Sequence, residues 1–262
     1  MRAGDPSLPQ RCIRKLRSLA VRSRFRAYLS GIGDAHPLHG IPARLVGDAS
    51  ADPTEFFDHY DAFAFWAGER ISKRNPGLKT LDVGGIKMMN AMLSISHDVT
   101  SLVLAHCGDQ ISRINYIQHD VSDRLPFANG TFDLFTSTVA LPLVGLSRYG
   151  DRLNPNCLID LIAELDRVMK PDSELLISMC LGKNVLNFNN GWFFDLPTIE
   201  RLFGQWRLID VLVDGASSPK QAMPDGARRF SKDTSVDKLR LGDYRVIFLQ
   251  LARGSTAHAE AS

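Results

Sequence analysis

From Lys79 to Ala252 the chain repeats one pattern, a short apolar run bounded by turn residues followed by a stretch with helical spacing. The runs are "KTLDVGG", "VTSLVLAH", "ISRINYIQHD", "TFDLFTSTVA", "SELLISMCL", "RLIDVLVDG" and "DYRVIFLQLA". Each is rich in β-branched and aliphatic residues and too short for a helix, so seven strands are predicted. The helical stretches between them include "NPNCLIDLIAELDRVMKPD", with Leu158, Leu161, Ile162, Leu165 and Val168 on one face, and "LPTIERLFGQW". The first of these should stop at Lys170-Pro171, because a residue before proline is driven out of the helical region. Strands separated by helices imply a mostly parallel sheet covered on both faces, a doubly wound α/β domain.

Ahead of that pattern, Asp52-Pro53 reads as a helix start, with Phe56, Tyr60, Phe63 and Ile71 at near-helical spacing. Residues 1–53 read as a basic helix and linker, 54–252 as the α/β domain and 253–262 as a disordered tail. The segment from Arg11 to Tyr28 carries seven basic residues and no acid. It reads as a solvated helix, as a contact for an anionic membrane surface, or as an organellar targeting segment. Residues 216–242, between the last two strands, read as a surface loop.

At 262 residues and 44% hydrophobic content the chain can bury one large core. A formal net charge of +2 argues against nucleic acid as a partner. Cys12, Cys107, Cys157 and Cys180 are scattered, without metal-ligand spacing, which fits a reducing, cytoplasmic setting and no metal site. No window reaches the roughly 18 apolar residues of a membrane span.

In an open parallel sheet, ligands bind beyond the carboxyl ends of the strands where the winding reverses. The pieces at those ends are "LDVGG" after the first strand, "IQHDVSDRLPFANGTFDLF" from the third strand into the fourth, and "ELDRVMKPDSELLIS" before and through the fifth. In this order they resemble the class I S-adenosylmethionine methyltransferases, whose fold is Rossmann-like. More narrowly, "VGLSRYGDRLNP" and "NFNNGWFFDLPTIERLFGQWRLIDV" are similar to a methyltransferase-like Caenorhabditis-type domain family whose bacterial members are linked to surface polysaccharide synthesis. The resemblance spans about Asp58 to Gly215.

It implies S-adenosylmethionine as cofactor, with Asp82, Gly84, Gly85, Asp109, Asp120, Val121, Ser137 and Thr138 as candidate contacts. Physically, glycines let a backbone approach a ligand closely, and N–H groups at the following helix start suit a carboxylate. Asp82 could meet the cofactor's amino group or orient its own turn. Asp120 could accept the adenine amine while Val121 donates its N–H, or serve as a turn aspartate. Ser137 and Thr138 would face the methionine portion. The second strand ends in "LVLAHC", without the acid that usually holds ribose hydroxyls, and Asp109 is the nearest substitute.

Arg148, Tyr149 and Asp151 are the candidate catalytic residues, Asp151 as general base. The alternative is an Arg148–Asp151 ion pair that only shapes the loop. His119 and Cys180 read as structural, and the amides and aromatics of "NFNNGWFF" as either a sugar surface or core. The expected function is O-methylation of a glycan or glycan precursor, with peripheral membrane contact through the basic helix. A non-catalytic methyltransferase-like module is the alternative. A nicotinamide-dependent oxidoreductase is weak, because "GGIKMMNA" lacks the GxGxxG spacing.

Overall fold

The computed structural model describes residues 22–23, 26–27, 30, 58–105, 113–188, 190–215 and 230–253. The Asp52-Pro53 helix start, Asp109, Cys12, Cys107, residues 216–229 and the tail from 254 lie outside them, as does most of the basic segment, of which the described residues are helical and exposed. The chain divides into two compact units, Met1–Glu55 and Phe56–Ser262, and the sheet lies wholly in the second.

The elements of this second unit are α1 (His59–Ile71), β1 (Lys79–Val83), α2 (Lys87–Leu93), β2 (Asp98–Val103), β3 (Ile114–Gln118), β4 (Phe132–Thr138), a 3-10 turn (Leu141–Leu143), α3 (Cys157–Val168), β5 (Met169–Gly182), β6 (Val185–Asn187), β7 (Gly191–Phe193), α4 (Leu196–Leu202), β8 (Trp206–Asp214), β9 (Phe230–Ser231) and β10 (Tyr244–Arg253). The main sheet has eight strands in the order β3-β2-β1-β4-β5-β10-β8-β9. Seven are the expected strands, and β9 is a two-residue addition inside the expected loop. From β3 to β5 the pairing is parallel, and β10 runs antiparallel between β5 and β8. The order reverses between β1 and β4, which places the switch point at their carboxyl ends.

Two cores cover the sheet. On one face Phe63, Trp66 and Ile71 of α1 and Met89 and Leu93 of α2 pack on Leu134, Leu176, Val246 and Phe248. On the other, Leu158, Leu161, Ile162, Leu165 and Val168 of α3 meet Phe135, Ile177, Met179 and Ile247. The α3 stripe is the one its spacing predicted. α1 differs: Asp58 caps it by accepting from the N–H groups of Tyr60 and Asp61, and Tyr60 turns outward, 42% exposed.

α3 ends at Val168, two residues before the expected stop. Pro171 then sits inside β5, where the register jumps from Met169 opposite Phe132 to Glu174 opposite Leu134. The interrupted ladder asks no N–H of the proline. Two sequence pieces separated by about 40 residues meet here. Glu164 accepts from Leu125 N–H at 2.8 Å, and Arg167 donates to the carbonyls of Leu125 and Phe127 at 3.0 and 2.7 Å. This clamp fixes the turn that leads into β4.

Phe248 is fully buried and touches the rings of both Phe63 and Trp66, at centroid distances of 5.4 and 5.8 Å. Phe248→Ala should therefore lower stability by about 3–5 kcal/mol, the range for emptying a buried aromatic site. Urea denaturation measures this, and a loss below about 1 kcal/mol would show that α1 is not held through this ring.

Candidate functional site

The first turn at the switch point is organised by Asp82, which is 1% exposed. Its carboxylate accepts from Gly85 N–H (3.2 Å), Asn90 Nδ2 (2.8 Å), Ser101 Oγ (3.0 Å) and Thr136 Oγ1 (2.9 Å). Burial pushes its pKa up, and the four donors oppose that rise. A Cβ on Gly85 would stand 1.9 Å from Asp82 Oδ1. Gly84 has φ +64°, and a Cβ there would meet Ala140 Cβ at 2.3 Å. The glycine pair thus brings the β1 turn against both the buried carboxylate and the end of β4.

At the end of β4, Thr136 is spent on Asp82, while the hydroxyls of Ser137 and Thr138 are buried without a hydrogen-bond partner. Val139 follows with φ +52°, a left-handed conformation that is strained for a β-branched residue. Its N–H donates to the carbonyl of Ser178 (3.1 Å) and to Ser178 Oγ (3.0 Å), so β5 holds the strain in place.

Two carboxylates shape the loop from 144 to 155. Asp120 accepts from Ser122 N–H at 2.9 Å and Arg152 N–H at 2.8 Å, tying the end of β3 to that loop. Burial raises the Asp120 pKa, but the two backbone donors, the Ser122 hydroxyl and the Arg152 charge outweigh it and bring it below the ordinary value. Asp151, 7% exposed, accepts from Ser147 N–H (3.0 Å) and Tyr149 N–H (3.1 Å). Ser147 needs that support, having φ +59°. No Arg148–Asp151 ion pair occurs among the described residues; the Arg148 guanidinium lies 5.3 Å from the Tyr149 ring centre instead.

These pieces enclose a cleft of about 530 Å³ beyond the carboxyl ends of β1, β2 and β4. Of the candidates, Gly84, Val121, Thr138, Tyr149 and Asp151 line it. Asp82 and Gly85 lie behind its floor in the network above, and Asp120, Ser137 and Arg148 are not among its walls. The end of β2 contributes Leu102, Val103, Leu104 and Ala105, an apolar wall. Asp109 lies outside the described residues, and among those residues no His, Cys, Asp and Glu cluster could hold a metal.

Sequence reasoning missed Lys87 and Tyr60 and read His119 as structural, and all three line the cleft. Lys87 stands two residues after the glycine pair, a signal that was legible, whereas Tyr60 reaches the cleft only because α1 packs across the sheet. Burial first, then the neighbouring Tyr149, Asp58 and Cys180, raise the Tyr60 pKa, so its phenol stays protonated. Cys180, whose thiol burial pushes up to about 12, is an inert core residue. A smaller hollow of about 90 Å³ lies at the opposite end of the sheet, lined by Arg70, Arg74, Asp133 and Glu174, which are spent largely on one another and on Asp210 and Lys170.

No family model matches this sequence, and no curated protein does. Solved structures match its shape. The 1,6-didemethyltoxoflavin-N1-methyltransferase of Burkholderia thailandensis, solved with 1,6-didemethyltoxoflavin and S-adenosylhomocysteine bound, aligns over 96% of this chain and 92% of its own, with TM-score 0.50 and 13% identity. The fold is that of the class I methyltransferases. The [4+2]-cyclase SpnF shares it, over 73% of this chain and 80% of its own, with TM-score 0.51 and 13% identity. Identities this low establish the methyltransferase fold alone, and a cyclase on the same architecture shows that activity must be argued from the site.

Gly84→Ala should be destabilised by about 1–3 kcal/mol, since the substitution combines a left-handed φ with a clash against Ala140. A melting temperature equal to that of the parent would show that this turn is not tightly held. The Asp120 clamp has a pH signature. Its folded pKa lies below the ordinary 3.8, so its contribution to stability is complete above that value and is lost as pH falls through the folded pKa. Denaturation followed from pH 6 to pH 2 should show a component of acid loss that Asp120→Asn removes; an unchanged acid limb in the variant would contradict the clamp.

Proposed function

We propose that this chain is an S-adenosylmethionine-dependent methyltransferase whose cofactor and acceptor share the cleft at the ends of β1 and β4. The observation that carries this reading is the cleft at the carboxyl ends of β1, β2 and β4, whose wall includes the side-chain-free turn at Gly84 and Thr138, a residue whose buried hydroxyl lacks a protein partner. A buried donor without a partner is costly, and a ligand would relieve that cost.

Gly84 and Thr138 would hold the methionine portion of the cofactor, Lys87 would meet its carboxylate, and Leu102, Leu104 and Val121 would bracket its adenine. Bound S-adenosylmethionine supplies an electrophilic methyl group. The chain's own part is alignment in a mainly apolar cleft, with Asp151 placed to take up the acceptor's proton. Asp120 supports this indirectly, by fixing the loop that carries Asp151.

The glycan acceptor rests on the sequence resemblance to the Caenorhabditis-type family. The "NFNNGWFF" hairpin adds no support, since Phe193 and Phe194 are buried, Trp192 stacks on Phe194 and Asn187 bonds the Gly242 carbonyl. Contact of the basic segment with an anionic membrane also belongs to the proposal; no described helix is long and apolar enough to cross a membrane. A specific observation favours a non-catalytic module as second reading: the β2 end shows Leu104 and Ala105 where a ribose-binding acid is expected.

Calorimetric titration with S-adenosylhomocysteine separates the two. Saturable binding at one site per chain is expected; absence of heat at high concentration would favour the module. Thr138→Val sharpens the test. Its hydroxyl has no protein partner, so stability should hold or rise while S-adenosylhomocysteine affinity falls by about 0.5–1.5 kcal/mol. Unchanged affinity would remove Thr138 from the site.

A further inference from the structure

We infer that the acceptor binds as an ammonium cation, its charge facing Asp151, which takes a proton from it and so frees the nitrogen lone pair before methyl transfer, and its carbon frame lying against the rings of Tyr60 and Tyr149; the inference rests on the reading of the cleft given above. Asp151 is the only carboxylate among the described residues lining the cleft, and it is more than nine-tenths buried. Its oxygens accept two backbone N–H groups, and no side-chain cation pairs with it among the described residues. Two donors leave about half of a carboxylate's acceptor sites unused. Nor does any ion pair among the described residues use those sites, an arrangement that leaves room for a cation.

The walls around it suit the same ligand. Tyr60 and Tyr149 line the cleft; His59 lies against the first ring, with centroids 4.1 Å apart, and Arg148 over the second, so at most one face of each ring is left to a guest. Tyrosine faces attract cations, and the rings would cover the guest's apolar frame. Arg148, the expected partner of Asp151, lies over Tyr149 and is not part of the cleft wall. Lys87 belongs to the Gly84 end, next to the turn assigned to the cofactor's carboxylate. A neutral hydroxyl would satisfy a hydrogen bond at Asp151 but leave its charge uncompensated, and an anion would be repelled.

The test uses the full chain without cofactor and three small probes of matched frame: butylammonium, 1-butanol and butyrate, followed by chemical-shift titration. Butylammonium should bind at least about tenfold more tightly than 1-butanol, with butyrate weakest. Asp151→Asn should abolish that preference, and Tyr60→Leu should weaken butylammonium several-fold without loss of folding. Equal binding of the three probes, or a preference that survives Asp151→Asn, would overturn the inference. Should Asp151→Asn fail to fold, the Tyr60→Leu/Tyr149→Leu double variant decides, since retained selectivity there also overturns it. Parallel titration with S-adenosylhomocysteine keeps the two readings apart. Its failure with the ammonium preference intact counts against the cofactor alone. Loss of S-adenosylhomocysteine affinity in Asp151→Asn, with butylammonium unaffected, would place Asp151 at the cofactor's end and refute the ammonium site.

Discussion

A single buried carboxylate organises the switch point. Asp82 gathers a backbone N–H from its own turn, an amide from α2, a hydroxyl from β2 and another from β4. Each donor comes from a different element, and each bond is stronger for lying in a water-excluded interior. Removing Asp82 would leave those donors unsatisfied at once, so the network links strand order, helix placement and the shape of the first turn. The glycines follow from it. Gly85 leaves room for Asp82, and Gly84 leaves room for Ala140, so the turn cannot carry side chains without giving up either the carboxylate or the β4 contact.

The rest of the site repeats this economy at its rim. Asp120 and Asp151 both direct their oxygens at backbone N–H groups of the 147–152 stretch, so the loop bearing Tyr149 is fixed by two carboxylates from different parts of the chain. Val139 and Ser147 are held in left-handed conformations nearby. Strain of this kind persists only where the surroundings over-determine it, and here Ser178 and Asp151 do so.

Fold and activity stand apart in this protein. The strand order, the antiparallel β10 and the helices on both faces are those of the class I methyltransferases, yet SpnF carries out a cyclisation on the same plan. What argues for methyl transfer is local: the Gly84 cradle and the unpartnered Thr138 hydroxyl. The apolar end of β2 argues the other way, because ribose hydroxyls in a cleft want acceptors.

The alternation of apolar runs and helical spacing was enough to read seven strands, the α3 stripe and the end of the sheet where the cleft lies, because burial on a sheet or helix has a period that sequence displays directly. The Gly84 turn and the cleft-lining places of Val121, Thr138, Tyr149 and Asp151 were legible for the same reason, since each sits at the end of a readable strand or in the loop after it. What each polar residue does there was not legible. Asp82, Asp120 and Asp151 look alike in sequence, as acids beside turns; only the fold shows that the first is sealed in the interior, the second clamps two loops and the third lines the cleft with no ion-pair partner among the described residues. Tyr60 lay on a stripe that read as core, and its place in the cleft wall came from the packing of α1 on the sheet. Periodicity is a local property of the chain, whereas a side chain's partners are set by contacts between residues far apart in it, and those exist only once the sheet has closed its order.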